Sequence, residues 1–260
     1  MKVSLYNKVI LITGASSGIG AVTARLLAER GAIPILTARS KGKMEMLSAS
    51  IQGDSPVYEM DVRDTAQVND VVSQVHRHYG KIDILLNNAG FGEFLRFSET
   101  SITQFQDMMD VNYMGTVRCT HAVLPYMLQA GVGHIVNVAS MAGKMATAKS
   151  TAYSASKHAV LGFTNALRRE LKSSGVMVSA VNPGPIDTPF FERADPEGTY
   201  LRNLGRFVMT PDRAAGAILH VIERRKAELD LPWTAAAGAR LALLFPRLFD
   251  VLFGKIVDKK

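Results

Sequence analysis

Tyr153 and Lys157 lie four residues apart, and their types and spacing suit acid–base chemistry. Residues four apart share one face of a helix, so the phenol and the ammonium can point into the same site. A free tyrosine has a pKa of about 10, too high for efficient proton transfer near neutrality, and a nearby cation favours the phenolate and lowers that pKa. The pair therefore predicts a group that donates a proton to a substrate oxygen and takes it back in the reverse direction.

Ser140 follows a short apolar run at residues 134–138. In open α/β sheets, ligands collect beyond the carboxyl ends of the strands, which is where this hydroxyl falls. We therefore expect Ser140 to hydrogen-bond the same substrate oxygen as Tyr153.

A glycine-rich turn, TGASSGIG at residues 13–20, follows the first apolar run and precedes a segment with helical spacing. Glycines let the backbone turn tightly and approach a pyrophosphate, whose charge then lies at the helix N-terminus. A tight turn that binds no ligand would not need three glycines and two serines together. The turn predicts a dinucleotide-binding site, formed by Gly14, Ser16, Ser17, Gly18, Ile19 and Gly20.

Arg39 follows the second apolar run, and residues 36–41 contain no acidic side chain. An acid at this position hydrogen-bonds the ribose of NAD, whereas an arginine accommodates the 2′-phosphate of NADP. A solvated arginine at a strand end is the alternative. The absence of any acid favours the functional interpretation, and with it NADP(H) over NAD(H).

Short apolar runs alternate with segments of helical spacing along nearly the whole chain. The runs are continuous rather than alternating, which is typical of parallel strands covered on both faces. The predicted strands are residues 9–12, 33–37, 57–60, 82–86, 135–138 and 176–181, and the predicted helices 20–30, 65–79, 102–129 and 153–172. This rhythm predicts a doubly wound, Rossmann-type α/β fold with a parallel sheet in a single domain.

Composition narrows the class of protein further. The chain has 260 residues, a net charge of +7 without long basic runs, and one cysteine, Cys119. This pattern predicts a cytoplasmic globular protein that binds no nucleic acid and has neither signal peptide nor membrane span. We assign no metal, because there is no Cys/His cluster, and His76 and His78, two apart on a helix, point in roughly opposite directions.

With these motifs in order, the chain resembles the short-chain dehydrogenase/reductase family from about residue 8 to residue 188. The family's glycine-rich turn matches residues 13–20, its NNAG motif residues 87–90, and its catalytic serine and YxxxK motif Ser140, Tyr153 and Lys157. The resemblance implies a nicotinamide-dependent oxidoreductase that interconverts a carbonyl compound and an alcohol. A non-catalytic protein that senses the cofactor or acts as a scaffold on the same fold is the alternative.

The resemblance also implies individual roles. Asn112, Ser140, Tyr153 and Lys157 form the catalytic set, with Asn112 holding a water that links Lys157 to solvent. Lys157 also bonds the nicotinamide ribose. Residues implied to bind the cofactor outside the glycine-rich turn are Arg39, Asp61, Val62, Asn88, Ala89, Gly90, Tyr153, Lys157, Pro183, Gly184, Ile186 and Thr188. Ser17 stands where some NADP-using relatives have a basic residue, so Arg39 carries the 2′-phosphate preference largely alone.

The family pattern divides the chain into a domain at residues 1–230 and a C-terminal extension at residues 231–260. Within the domain, the apolar segment at about 189–210 is implied to form a substrate lid, which favours an apolar substrate. In the extension, Leu241, Leu244, Phe245, Leu248, Leu252 and Ile256 recur at helical spacing. This apolar face either closes the pocket, packs on a partner subunit, or makes peripheral contact with a membrane. Members of the family usually pack two long helices, here about residues 102–129 and 153–172, against their symmetry mates, so the resemblance implies a homo-oligomer, a dimer or tetramer.

Overall fold

The computed structural model describes residues 2–245, 247 and 251. Within these residues, seven strands form a single parallel sheet in the order β3-β2-β1-β4-β5-β6-β7. They are Val9–Thr13 (β1), Ile33–Ala38 (β2), Val57–Glu59 (β3), Ile84–Asn87 (β4), Gly133–Val138 (β5), Val176–Pro183 (β6) and Glu228–Leu231 (β7).

Helices cover both faces of the sheet. In the described part of the chain they are Gly18–Ala28 (α1), Lys41–Ser50 (α2), Thr65–Tyr79 (α3), Ile102–Met109 (α4), Gly115–Ala130 (α5), Thr151–Glu170 (α6), Phe190–Ala194 (α7), Thr199–Leu204 (α8), Pro211–Arg224 (α9) and Trp233–Leu244 (α10). One buried cluster joins α1 and α9 to the sheet through Leu27 and Ile218. A second joins α3, α5 and α6 to the other face through Val72, Val123 and Leu167. The predicted doubly wound, Rossmann-type single domain is confirmed.

The sheet order creates a crevice beside β1. The chain leaves β1 toward β2 on one side and returns to β4 on the other, so the connections diverge above the carboxyl end of β1. Ligands of open α/β sheets bind at such a switch point. The glycine-rich turn at residues 13–20 and the NNAG motif at residues 87–90 flank this crevice.

One predicted helix is divided in the structure. Residues 102–129 were expected to form a continuous helix, but α4 and α5 are separated by a π-helical turn at Asp110–Met114. The wider turn contains Asn112, whose side chain bonds the backbone of Phe91 and the hydroxyl of Ser156. These tertiary hydrogen bonds favour the π-helical turn, which the spacing of apolar residues cannot predict. A π-turn inside a helix is frequent at functional sites.

Several elements were not predicted, namely α2, α9, β7 and the short helices α7 and α8. The helix α9 begins with the Thr210 hydroxyl accepting a hydrogen bond from the Arg213 amide, and Pro211 occupies its first turn. None of the helices in the described residues is long and apolar enough to cross a membrane.

Candidate active site

A cavity of about 1060 Å³ opens beyond the carboxyl ends of the central strands. The predicted residues that line it are Gly14, Ser16, Ser17, Gly18, Ile19, Arg39, Asp61, Val62, Asn88, Ala89, Gly90, Ser140, Tyr153, Lys157, Pro183, Gly184, Ile186 and Thr188. Gly20 and Asn112 are predicted site residues that lie behind this lining. The volume is at the upper end of ordinary small-molecule sites.

Tyr153 and Lys157 lie in the first two turns of α6 and are almost completely buried, with exposed fractions of 9% and 5%. The Lys157 ammonium donates a hydrogen bond to the carbonyl oxygen of Val138, at 3.0 Å. Its nitrogen lies 5.8 Å from the centroid of the Tyr153 ring. The predicted pairing on one helix face is therefore present, and the last residue of β5 fixes the lysine.

Burial controls the protonation of both groups. It raises the pKa of Tyr153 to about 12, although a hydrogen bond with Ser140 opposes the rise. Burial also lowers the pKa of Lys157 to about 8. Lys157 was expected to lower the pKa of Tyr153, but within the protein itself desolvation of the phenolate is the larger effect. These residues therefore keep the phenol protonated, which is the form that donates a proton.

Ser140 lies two residues after the end of β5. It caps a short 3₁₀ turn at Met141–Gly143, and its hydroxyl oxygen accepts a hydrogen bond from the Ala142 amide at 3.1 Å. The same hydroxyl donates to the carbonyl oxygen of Pro183, at 3.3 Å. Two backbone contacts thus orient the hydroxyl that lies beside the Tyr153 phenol.

Asn112 supports the site from behind. Its side-chain oxygen accepts from the Phe91 amide, and its side-chain nitrogen donates to the Phe91 carbonyl and to the Ser156 hydroxyl, each at 2.9 Å. These bonds tie the turn between α4 and α5 to the loop after β4 and to α6. The water relay that the resemblance implies for Asn112 stays a prediction.

The glycine-rich turn packs closely against the loop after β4 and against itself. Gly14 has a φ of +66°, and a Cβ there would lie 2.8 Å from the Cα of Ala89. A Cβ at Gly20 would lie 2.5 Å from the Gly14 oxygen, so this glycine serves the packing of the turn rather than the cavity lining. The Asn88 side chain fixes the turn by donating to the carbonyls of Thr13 and Gly14.

The turn leads directly into α1, whose first amide groups carry partial positive charge. Ser17 stands at the N-cap position, and its side chain makes no capping hydrogen bond. Its hydroxyl is therefore available to a ligand. The donors and the space match what a dinucleotide pyrophosphate needs, so the residues present fit a nicotinamide dinucleotide.

The opposite end of the cavity is charged. Arg39 is exposed and follows β2, while Asp61 follows β3. Asp61 accepts hydrogen bonds from Nε and Nη2 of Arg63, at 3.0 and 2.7 Å, and these bonds lower the pKa of its carboxyl group. Arg63 was not predicted as a site residue. Because the Arg63 side chain is bound to Asp61, Arg39 is the arginine at this end of the cavity whose guanidinium is available to a phosphate group.

Aromatic side chains enclose the cavity around Tyr153. Phe94 makes edge or tilted ring contacts with Tyr153, Phe190, Phe191 and Tyr200 at centroid distances between 5.2 and 6.4 Å. Arg193 stacks on Phe91, and its guanidinium pairs with Glu93 at 2.7 Å. Among the described residues, Arg193 is the one arginine that lines the aromatic half of the cavity, and its charge is neutralised by Glu93.

The helix α10 forms another wall of the cavity. Closing the pocket was one of the three alternative roles predicted for the C-terminal extension. The residues that α10 and the preceding turn contribute are Pro232, Thr234, Ala235, Ala237, Gly238 and Leu241. Five of these six are apolar or lack a side chain.

Other candidates considered in the sequence have structural surroundings. The His76 ring stacks on Tyr126 at a centroid distance of 4.0 Å, and burial raises the pKa of the Cys119 thiol to about 12. In the portion of the chain with described coordinates, no group of three or more histidine, cysteine or acidic side chains is arranged to hold a metal ion.

A family model described as short chain dehydrogenase matches residues 8–198. The chain belongs to the short-chain dehydrogenase family. An uncharacterized oxidoreductase of Staphylococcus saprophyticus is 41% identical over 191 residues, which cover 72% of this chain and 82% of that protein. A dehydrogenase/reductase SDR family protein 7-like of Dictyostelium discoideum is 37% identical over 98% of this chain and 83% of its own length.

Among solved structures, the closed form of serine dehydrogenase complexed with NADP⁺ is similar, with a TM-score of 0.81 and 28% identity. The match covers 87% of this chain and 95% of that one. This short-chain dehydrogenase is accordingly an oxidoreductase whose fold uses a nicotinamide cofactor.

Proposed function

We propose that this short-chain dehydrogenase is an NADP(H)-dependent oxidoreductase that interconverts an apolar ketone or aldehyde with the corresponding alcohol. The observation that carries the proposal is the position of the Tyr153 phenol. It is buried, hydrogen-bonded with Ser140 and adjacent to Lys157, at the point where the phosphate-binding end of the cavity meets its aromatic end.

A nicotinamide cofactor held by the glycine-rich turn and Arg39 would supply the hydride for reduction of the carbonyl carbon and would take it back in the reverse reaction. Tyr153 gives its phenolic proton to the carbonyl oxygen, and Ser140 donates a hydrogen bond to the same oxygen once its hydroxyl proton turns away from the Pro183 carbonyl. Lys157, fixed by the Val138 carbonyl, stabilises the phenolate that remains. The aromatic side chains of Phe94, Phe190 and Phe191 exclude water from this step.

A non-catalytic sensor or scaffold on this fold is the competing hypothesis. Lys157 would serve a cofactor sensor as well, through the nicotinamide ribose, but binding of a cofactor alone does not require a buried proton donor. Tyr153 is such a donor, because burial raises its pKa and keeps the phenol protonated. The catalytic proposal is therefore the better supported of the two.

Replacement of the proposed proton donor tests the function. The wild-type protein should consume NADPH with one or more members of a panel of apolar ketones and aldehydes. Tyr153→Phe should reduce turnover by at least about 10²-fold, because it removes the general acid, and should leave NADPH binding largely intact.

The matched control is Tyr126→Phe, which removes a phenol from α5, where the ring stacks on His76 outside the cavity lining. It should keep turnover within a few-fold of wild type. Near-normal turnover of Tyr153→Phe on a good substrate would show that the assigned mechanism is wrong, and the absence of turnover across the panel would favour the sensor.

The preference for NADP(H) rests on Arg39. Its guanidinium suits a bidentate contact with the 2′-phosphate, and residues 36–41 present no acid to the ribose. Arg63 lies nearby but is engaged by Asp61.

Arg39→Ala should weaken NADPH binding by about tenfold or more, and NADH binding much less, because only NADPH carries the 2′-phosphate. Fluorescence titration with both cofactors measures the two affinities. Arg77→Ala, which removes an exposed arginine near the C-terminus of α3, is the charge-matched control. Equal losses for both cofactors, or a wild-type preference for NADH, contradict the assignment.

We further propose that the protein is a homo-oligomer formed through α5 and α6. The outer face of α6 is exposed and carries the small residues Ala155, Gly162 and Ala166, which permit close helix packing. A Cβ at Gly162 would meet no atom within 4 Å in a single chain.

Light scattering at micromolar concentration should therefore give a dimer or tetramer, and Gly162→Arg should shift the mass toward the monomer without unfolding. Gly42→Arg on α2, where a Cβ also meets no atom within 4 Å, is the control and should keep the wild-type mass. A monomeric wild-type protein refutes the proposal.

For residues 231–260 we propose that the segment closes the substrate cavity, because α10 lines it. Peripheral membrane contact is the second candidate for an otherwise cytoplasmic protein. It is supported by the exposure of Trp233, Leu243 and Leu244 beside the exposed Arg240. Three residues of the predicted apolar face, Leu248, Leu252 and Ile256, lie outside the described residues.

Sedimentation with anionic liposomes separates the two roles. If the segment only closes the cavity, the intact protein should stay in the supernatant. Co-sedimentation that is lost when residues 240–260 are removed, from a protein that stays folded and active, would support membrane contact.

A further inference from the structure

A charged cluster at the edge of the sheet includes Lys144, which lies four residues after Ser140. The Lys144 ammonium contacts Glu228 Oε1 at 2.7 Å, and Asp230 Oδ1 and Oδ2 at 2.7 and 2.8 Å. Both carboxylates belong to β7, and the Asp230 side chain is only 12% exposed. Burial alone would lower the pKa of Lys144, but its hydrogen bonds to Asp230 and Glu228 outweigh that effect and raise it. The ammonium therefore stays charged and bound.

The cluster holds the segment that carries Ser140. Lys144 is the residue that ends the 3₁₀ turn at Met141–Gly143, and Ser140 begins it. The Lys144 amide bonds the Met141 carbonyl at 2.9 Å, so the turn is short and closed. A side chain fixed at one end of so short a turn also restricts the hydroxyl at the other end.

The same two carboxylates hold the acceptor of the Ser140 hydroxyl. Asn182 is completely buried, and its side-chain nitrogen donates to Glu228 Oε1 and Asp230 Oδ1, each at 2.7 Å. The next residue is Pro183, whose carbonyl accepts the Ser140 hydrogen bond. The Asn182 side-chain oxygen has no partner within the described residues. The amide orientation that would place this oxygen toward the carboxylates is electrostatically unfavourable, which fixes the one observed.

We propose that Lys144, Glu228 and Asp230 form a positioning cluster that fixes the Ser140 hydroxyl between Tyr153 and the Pro183 carbonyl, and that Lys144 acts on the reaction through Ser140. Lys144 holds the segment that carries the Ser140 hydroxyl, and Asn182 holds the strand that carries the Pro183 carbonyl. The distance between that hydroxyl and that carbonyl therefore depends on the two β7 carboxylates. The catalytic part of the proposal rests on the proposed carbonyl reductase function. The positioning of the segment does not.

The first test is kinetic. Lys144→Met keeps the aliphatic stem and removes the charge. It should lower kcat by about tenfold while changing the KM for NADPH less than about threefold, since the phosphate-binding turn is untouched. Lys144→Arg should restore most of kcat, because a guanidinium can still bind both carboxylates.

Two further variants distinguish a loss of Ser140 positioning from a general loss of folding or stability. Lys144→Met/Asp230→Asn keeps the net charge of the cluster and avoids leaving two unpaired carboxylates, so it should fold if Lys144→Met does not. Lys8→Met breaks another lysine–carboxylate pair, with Asp83 at 2.7 Å before the amino end of β1, and should lower stability without lowering kcat.

The decisive comparison uses Ser140→Ala. If Lys144 acts through Ser140, the variant that combines Ser140→Ala with Lys144→Met should be no slower than Ser140→Ala alone. Independent, multiplying losses in kcat overturn the proposal. An unchanged kcat in folded Lys144→Met overturns it as well.

Hydrogen exchange keeps this result separate from the proposed function. Exchange of the amides in residues 140–145 should be faster in Lys144→Met than in wild type, and unchanged in Lys8→Met. This readout needs no turnover. A wild-type protein that turns over no carbonyl compound contradicts the proposed function, whereas unchanged exchange in residues 140–145 contradicts the positioning cluster.

Discussion

Burial of the Lys157 ammonium is the constraint on which the rest of the site depends. A lysine with 5% of its surface exposed needs a fixed acceptor, and the Val138 carbonyl at the end of β5 provides it. That contact requires α6 to pack closely over the turn after β5. A Cβ at Gly143 in that turn would lie 2.7 Å from the Lys157 carbonyl oxygen, so the backbones can approach only because this residue is glycine.

The close packing of α6 has consequences for both ends of the cavity. It buries Tyr153 beside Ser140, and it brings Ser156 to Asn112, which in turn holds the loop after β4. The loop after β4 also supports the glycine-rich turn through Asn88. The Tyr153–Lys157 pair and the glycine-rich turn are therefore parts of one continuous hydrogen-bonded structure at the carboxyl edge of the sheet.

Much of this arrangement could be predicted from the sequence, and the exceptions have physical causes. Continuous apolar runs identified six of the seven strands among the described residues, because strands covered on both faces are predominantly apolar. The strand β7, with the sequence ELDL, was missed because half of it is acidic. Its carboxylates are compensated by Lys144 and Asn182, which are far away in the sequence.

The site was predictable where spacing alone places side chains, as in Tyr153 and Lys157 on one helix turn. It was not predictable where burial sets the chemistry. Desolvation of the Tyr153 phenol depends on aromatic side chains from the loop after β4 and from α7, which no local pattern links to α6. The same holds for Arg63, whose capture by Asp61 is visible only in three dimensions.

The most direct test of the account follows a label from the cofactor to the product. Wild-type protein is incubated with an apolar ketone and NADPH that carries two deuterium atoms at the reactive carbon of the nicotinamide, and the alcohol is examined by mass spectrometry. The account predicts one deuterium at the carbinol carbon, with formation of the labelled alcohol slowed at least about 10²-fold in Tyr153→Phe. An alcohol without deuterium, or no alcohol from any ketone that binds, would contradict it.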